Sequence, residues 1–196
     1  MSDISTTIGG LKLANPIIIS SGPLSDTEEI LQKADTFEPG AIILKTTLLD
    51  RDYKQAVAPY DHHKYPHLLN SYIRLSDGQM HCDGMSRWSL ELWADWMAKN
   101  HDKFRTPLIA SVAAVSLEGY IEGAKLMEQA GAKAIELLLA CPAAWFRPFK
   151  YCMTSNPAIV SEICTEVKKA VSIPIGAKTL PWPSAIPRAA YRSIGL

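Results

Sequence analysis

Apolar runs recur along this chain, and between them lie segments whose apolar residues fall three and four apart. "NPIIISSG" (15–22), "GAIILKTT" (40–47), "TPLIASVA" (106–113), "AKAIELLLA" (132–140) and "IPIGAKTL" (173–180) are short and nearly continuous. Runs of that kind read as strands buried on both faces, as in parallel sheets covered by helices. "TTIGGLKL" sets Gly9 and Gly10 between two short apolar stretches, which predicts a small hairpin with a two-residue turn.

Helix signals fill the intervals. Ser25 and Glu28 have the S-x-x-E spacing of a capping box and predict a short helix after the first long strand. Ser116 caps a second pattern, with Leu117, Tyr120, Ile121, Ala124 and Met127 on one face and Gly131 as its stop. Asn156 and Pro157 start a third, facing inward with Ile159, Val160, Ile163, Val167 and Ala170. "SLELWADWMAKN" (89–100) is read as a helix burying Leu92, Trp93, Trp96 and Met97, and "SAIPRAAYRSIG" as the start of one more. Residues 49–85 break the rhythm. Their periodicity is weak, and a loop of that length in a compact domain is functional or disordered more often than not.

Composition narrows the class of protein. The chain has 196 residues, 47% hydrophobic and 20% charged, which suits one globular domain with a substantial core. Twenty basic residues balance twenty acidic ones, so no net field draws in nucleic acid or an anionic membrane. No apolar run approaches the roughly 18 residues that span a bilayer, and the first residues lack the pattern of a signal peptide. Cys82, Cys141, Cys152 and Cys164 form no CxxC pair and read as reduced thiols of a cytoplasmic protein.

In parallel βα architectures chemistry sits at the carboxyl ends of the strands. Ser21-Gly22, Lys45-Thr46, Ser111, Cys141 and Lys178 occupy those positions here. Lysine is almost never buried without a partner. Either each ammonium reaches solvent or a carboxylate such as Glu136, or the two share an anionic ligand; two lysines at equivalent strand ends favour the ligand. Cys141 on local pattern alone reads as a small buried hydrophobe. His62, His63, His67 and His81, with Cys82, match no standard zinc spacing, so no metal site is assigned. The tryptophans at 88, 93 and 96 read as core and helix surface.

Taken together, "TTIGGLKLANPIIISSGPLSDTEEI", "PGAIILKTTLLD", "LLNS", "PLIASVAAVSLEGY", "GAKAIELLLACP" and "IPIGAKTLP" resemble the class 1 dihydroorotate dehydrogenases and the related barrel domain of dihydropyrimidine dehydrogenase. The resemblance implies an FMN-dependent (β/α)8 barrel. It puts Ser21, Gly22, Lys45, Thr46 and Lys178 against the flavin, and Lys45, Asn70 and Ser71 against a pyrimidine-like substrate. It makes Cys141 the base that removes a C5 proton from dihydroorotate. Departures from the family's N-x-S-C-P-N motif are Leu138, Ala140 and Ala143, which replace two asparagines and a serine. "YIRL" after Asn70-Ser71 departs from a glycine-containing loop.

The expected fold is therefore an incomplete TIM-barrel-type parallel βα repeat of about five units, one partial barrel domain over 1–196, where a full barrel takes about 250 residues. The expected function is an FMN-dependent dehydrogenase acting on a dihydropyrimidine ring in pyrimidine biosynthesis. The alternative is a catalytically degenerate barrel fragment acting as a binding or assembly subunit. The flavin phosphate loops are expected to be absent and FMN binding weak, with a homo-oligomer or a complementary chain completing the sheet.

Overall fold

The computed structural model describes residues 3–52, 71–76, 78–82, 85–140 and 156–179, with backbone only for the strands within 71–82. The chain opens on the expected hairpin, β1 (Thr6–Ile8) and β2 (Leu11–Leu13), paired antiparallel with Thr6 opposite Leu13. Gly9 and Gly10 turn it at φ 56° and 91°, the left-handed pair that a two-residue turn needs.

Five strands form the main sheet: β3 (Ile18–Ile19), β4 (Ala41–Ile43), β7 (Leu108–Val112), β8 (Ala134–Leu138) and β9 (Ile175–Lys178). All neighbours are parallel, and their order across the sheet is their order along the chain. A sheet that grows in one direction without reversing curls toward a barrel, whereas a doubly wound sheet reverses at a switch point. Helices α1 (Glu28–Asp35), α2 (Leu90–Asn100), α3 (Leu117–Gln129) and α4 (Pro157–Ala170) lie in the connections.

Each strand divides its side chains between two apolar layers. Ile42, Leu108, Ala110, Val112, Ile135 and Leu137 meet Leu31, Trp93, Tyr120, Met127, Ile163 and Val167 from the helices in the larger core. Ala41, Ile109 and Ala134 face the other way, onto Leu13 of the hairpin, with Ile18 and Ile43 beside them. The hairpin thus covers the lower part of the concave face. Burying a Leu or Ile side chain contributes about 1.5–3 kcal/mol, so the outer layer carries most of the stability.

The helix starts follow the sequence in two cases and depart from it in one. Ser116 Oγ accepts from the Gly119 amide at 3.1 Å, and Asn156 Oδ1 accepts from Ala158 at 3.1 Å, with Pro157 in the first turn. At α1 the cap is Thr27, whose Oγ1 accepts from Ile30. Ser25 is the last residue of a 3-10 turn begun by Pro23, and its hydroxyl is taken up with Gly22. On α2, Leu92 is 54% exposed, contrary to expectation. Leu90, Trp93, Ala94 and Met97 form the buried stripe, and position 92 points away from it.

Within 49–85 the structure contains an antiparallel hairpin, β5 (Ser71–Leu75) and β6 (Gly78–Cys82). Gly78, which opens β6 opposite Leu75, is a turn signal in the sequence that weak periodicity hides. The helix expected over "SAIPRAAYRSIG" lies outside the described residues.

Gly131 ends α3 at φ 100°, and a Cβ there would stand 2.4 Å from the His101 ring. Gly131→Ala is expected to lower stability by about 1–3 kcal/mol, read from urea unfolding, because strain and collision act together. A change below about 0.5 kcal/mol would show that this turn relaxes freely.

Candidate active site

The concave face above the hairpin layer changes character. Where Ile43, Ile109 and Ala134 are apolar, the next level up carries Ser111 opposite Glu136, and Glu136 opposite Gly176. The inner face thus turns polar within one step of the strand period.

A bulge at the end of β4 brings further hydroxyls to this level. Ile43 lies opposite Ile109, yet Thr47 lies opposite Val112, so one extra residue is taken up between them. The ladder passes from the Leu44 amide on Ile109 O to the Thr47 amide on Ser111 O. The two amides it skips are used elsewhere. Lys45 N–H donates to Ser25 O at 2.9 Å, and Thr46 N–H donates to Ser21 Oγ at 2.8 Å.

The side chains then form a continuous row. Ser21 Oγ lies 2.8 Å from Thr46 Oγ1, Thr46 Oγ1 lies 2.7 Å from Ser111 Oγ, and Ser111 Oγ donates to Glu136 Oε1 at 2.7 Å. Lys178 Nζ closes the row at 3.8 Å from the same oxygen. Every strand of the sheet or the turn after it contributes to this row. Lys45, next to Thr46 in the chain, is only 5% exposed. The carboxylate reading of the lysines is thus realised for Lys178, at a distance too long for a strong hydrogen bond.

The expected residues divide as follows. Ser21, Lys45, Thr46 and Lys178 are gathered at the strand ends. Gly22 adjoins them in extended backbone, and its N–H donates to Ser25 Oγ. Ser71 begins β5, opposite Cys82. Cys141 and Asn70 lie outside the described residues. Leu138 is buried, and its carbonyl accepts from Tyr120 Oη at 2.7 Å, tying α3 to the end of β8. Ser111 and Glu136 each stand out in the sequence, but their connection depends on strand register, which one strand cannot show. A cleft of about 240 Å³ lies against the concave face, bounded by Ile8, Leu13, Ile43 and Ile109 and reaching Glu136 and Lys178. Among the described residues no group of three His, Cys, Asp or Glu side chains could hold a metal ion.

Comparison with known proteins gives this arrangement a family. Residues 3–191 match the family described as dihydroorotate dehydrogenase. The chain belongs to the dihydroorotate dehydrogenase family. It is 30% identical over 181 residues to the catalytic subunit of dihydroorotate dehydrogenase B (NAD(+)) of Thermoplasma volcanium, covering 92% of this chain and 55% of that one. Against dihydropyrimidine dehydrogenase (NADP(+)), chloroplastic, of Arabidopsis thaliana, identity is 28% over 194 residues, 91% of this chain and 43% of the relative. Dihydroorotate dehydrogenase A (fumarate) of Limosilactobacillus reuteri is 28% identical over 187 residues, 91% and 54% of the two chains. The chain spans about half the length of the curated relatives it matches.

This member of the dihydroorotate dehydrogenase family also buries a carboxyl group beside its site segment. Asp52 lies just beyond the bulge, and its Oδ2 has no hydrogen-bond partner. Burial raises its pKa, opposed by a hydrogen bond from the Val115 backbone and by Arg51. The folded state therefore holds this proton more tightly than the unfolded chain. The resulting penalty is absent below the ordinary Asp range and grows as pH rises through the raised folded value. Asp52→Asn is expected to stabilise the protein at neutral pH and to show little difference at about pH 3, below the ordinary Asp pKa. Urea midpoints across that range check it, and parallel curves for the two proteins would contradict it.

Proposed function

We propose that this chain is an FMN-dependent oxidoreductase of the dihydroorotate dehydrogenase type, acting on a dihydropyrimidine ring. The observation that carries the reading is the polar row at the carboxyl ends of the parallel strands, with Lys178 at its end and Lys45 next to Thr46 in the chain, on a face otherwise apolar. Two ammonium groups and a line of hydroxyls fit the carbonyl-rich edge of a flavin or pyrimidine ring. Ser21, Gly22, Thr46 and Lys178 would hold the flavin ring, and Lys45 would lie between flavin and substrate. Asn70 and Ser71 would reach the substrate.

FMN, when bound, supplies the hydride acceptor. The chain's own task is to hold the ring and take the proton. Lysine side chains stabilise negative charge on ring oxygens, and more strongly where water is excluded. Cys141, as thiolate, would accept the C5 proton of the dihydropyrimidine while C6 gives up a hydride, leaving a C5–C6 double bond. Four cysteines without a CxxC pair and balanced charge support a cytoplasmic setting and a small-molecule substrate.

A second reading is a catalytically degenerate barrel unit that binds or assembles. Leu138 favours it, because an apolar side chain stands where the family motif has an asparagine. A site that loses such donors leaves a ring's polar edge without partners. Among the described residues β3 and β9 are the edges of the main sheet, and open edges invite association. In this reading FMN binds weakly, and a second copy or a complementary chain docks on an open edge.

Two outcomes test these assignments. Anaerobic mixing of the FMN-loaded chain with dihydroorotate should bleach the flavin slowly or not at all, and Leu138→Asn with Ala143→Asn should speed it. Rapid bleaching by the unaltered chain would show that other residues anchor the ring. In the folded protein, Cys141 should be alkylated at least about tenfold faster than Cys164, which is fully buried on α4. Equal rates would return Cys141 to a structural role.

A further inference from the structure

The hydroxyl row has a direction, determined by its contacts together with the number of hydrogens each group can donate. As a carboxylate, Glu136 only accepts. Ser111 has one hydroxyl hydrogen and spends it on Glu136. The contact between Ser111 and Thr46 must then be donated by Thr46. Thr46 has no second hydroxyl hydrogen, so Ser21 donates to Thr46 Oγ1 while accepting the Thr46 amide. Every hydroxyl hydrogen points toward Glu136, three strands across the sheet from where the row begins.

We propose that Glu136 is a positioning residue that sets this direction, so that half-buried Ser21 presents only a lone pair and recognises a bound ring through the ring's own N–H. The recognition half rests on the flavin reading above. Ser21 Oγ has one acceptor position left, whereas Thr46 and Ser111 are buried. Lys45 and Lys178 supply donors for ring oxygens. A ring with an N–H beside carbonyl groups complements such a floor; a ring with that nitrogen blocked does not. Glu136 also stands beside Lys178, so one carboxylate orders the hydroxyls at one end and neutralises a cation at the other.

Without Glu136 the row has one escape. Ser111 can turn its hydrogen onto Thr46, Thr46 can donate to Ser21, and Ser21 is left with a hydrogen to offer outward. Thr46→Val closes that escape. Glu136→Ala and Thr46→Val do not touch one another, yet their combined effect on urea unfolding is expected to exceed the product of the single effects by about fivefold in the equilibrium constant. The excess should vanish when Ser111 is also Ala. Binding supplies the second measurement. FMN should bind the full chain about tenfold more tightly than FMN methylated at N3, the single ring N–H of the oxidised flavin, and Glu136→Ala should remove that preference.

Additive stability effects would overturn the proposal whatever the flavins do. Coupling with equal binding of the two flavins would overturn recognition through Ser21. Coupling in a chain that binds neither flavin would sink the flavin reading while supporting the control of the row by Glu136.

Discussion

A carboxylate on the inner face of a curled sheet needs polar partners, and Glu136, with 15% of its side chain exposed, finds them along the strand ends. Below its level the inner face is apolar and covered by the first hairpin. At its level, hydrogens from Ser111, Thr46 and Ser21 line up in series. Burying an unpaired charge costs several kcal/mol, whereas hydrogen bonds to a charged group contribute about 1.5–3 kcal/mol each. The polar row is thus a condition for having the carboxylate there, and it also prepares the surface that a ring ligand would meet.

The bulge at the end of β4 is what makes the row continuous. A regular ladder would have used the Thr46 amide on Ser111 O. Instead that bond comes from Thr47, and Thr46 turns its amide to Ser21 and its hydroxyl to Ser111. The displaced segment is held from outside as well, where Ser86 N–H donates to Thr46 O at 2.8 Å. Ser86 in turn donates to Asp26 Oδ1 and accepts from Trp93 Nε1. A core tryptophan on α2 is in this way linked to the geometry of the strand end, which ties stability of the outer layer to order at the site.

Much of the architecture could be read from local pattern. Five apolar runs became five parallel strands, and the caps at Ser116 and Asn156 lie where small polar residues precede helical periodicity. The misreadings have local causes. Ser25 has the spacing of a cap, but Pro23 begins a tighter turn before it. Leu92 is apolar, yet the phase set by Leu90, Trp93 and Met97 leaves it outside. The hydroxyl row was not legible, since it depends on a one-residue shift between β4 and β7 that neither strand records alone. Resemblance supplied what pattern could not: the family, borne out over residues 3–191, and a role for the lysines that periodicity leaves open.

The central claim is that the lysines and hydroxyls at the strand ends form one surface for a flavin ring. Titration of FMN into the full chain, followed by the shift of the flavin's visible band, tests this most directly. The account predicts a saturable shift that Lys45→Ala together with Lys178→Ala weakens by about a hundredfold or more, two charge-assisted contacts at about 1.5–3 kcal/mol each. A shift of equal size and affinity in that double variant would contradict it.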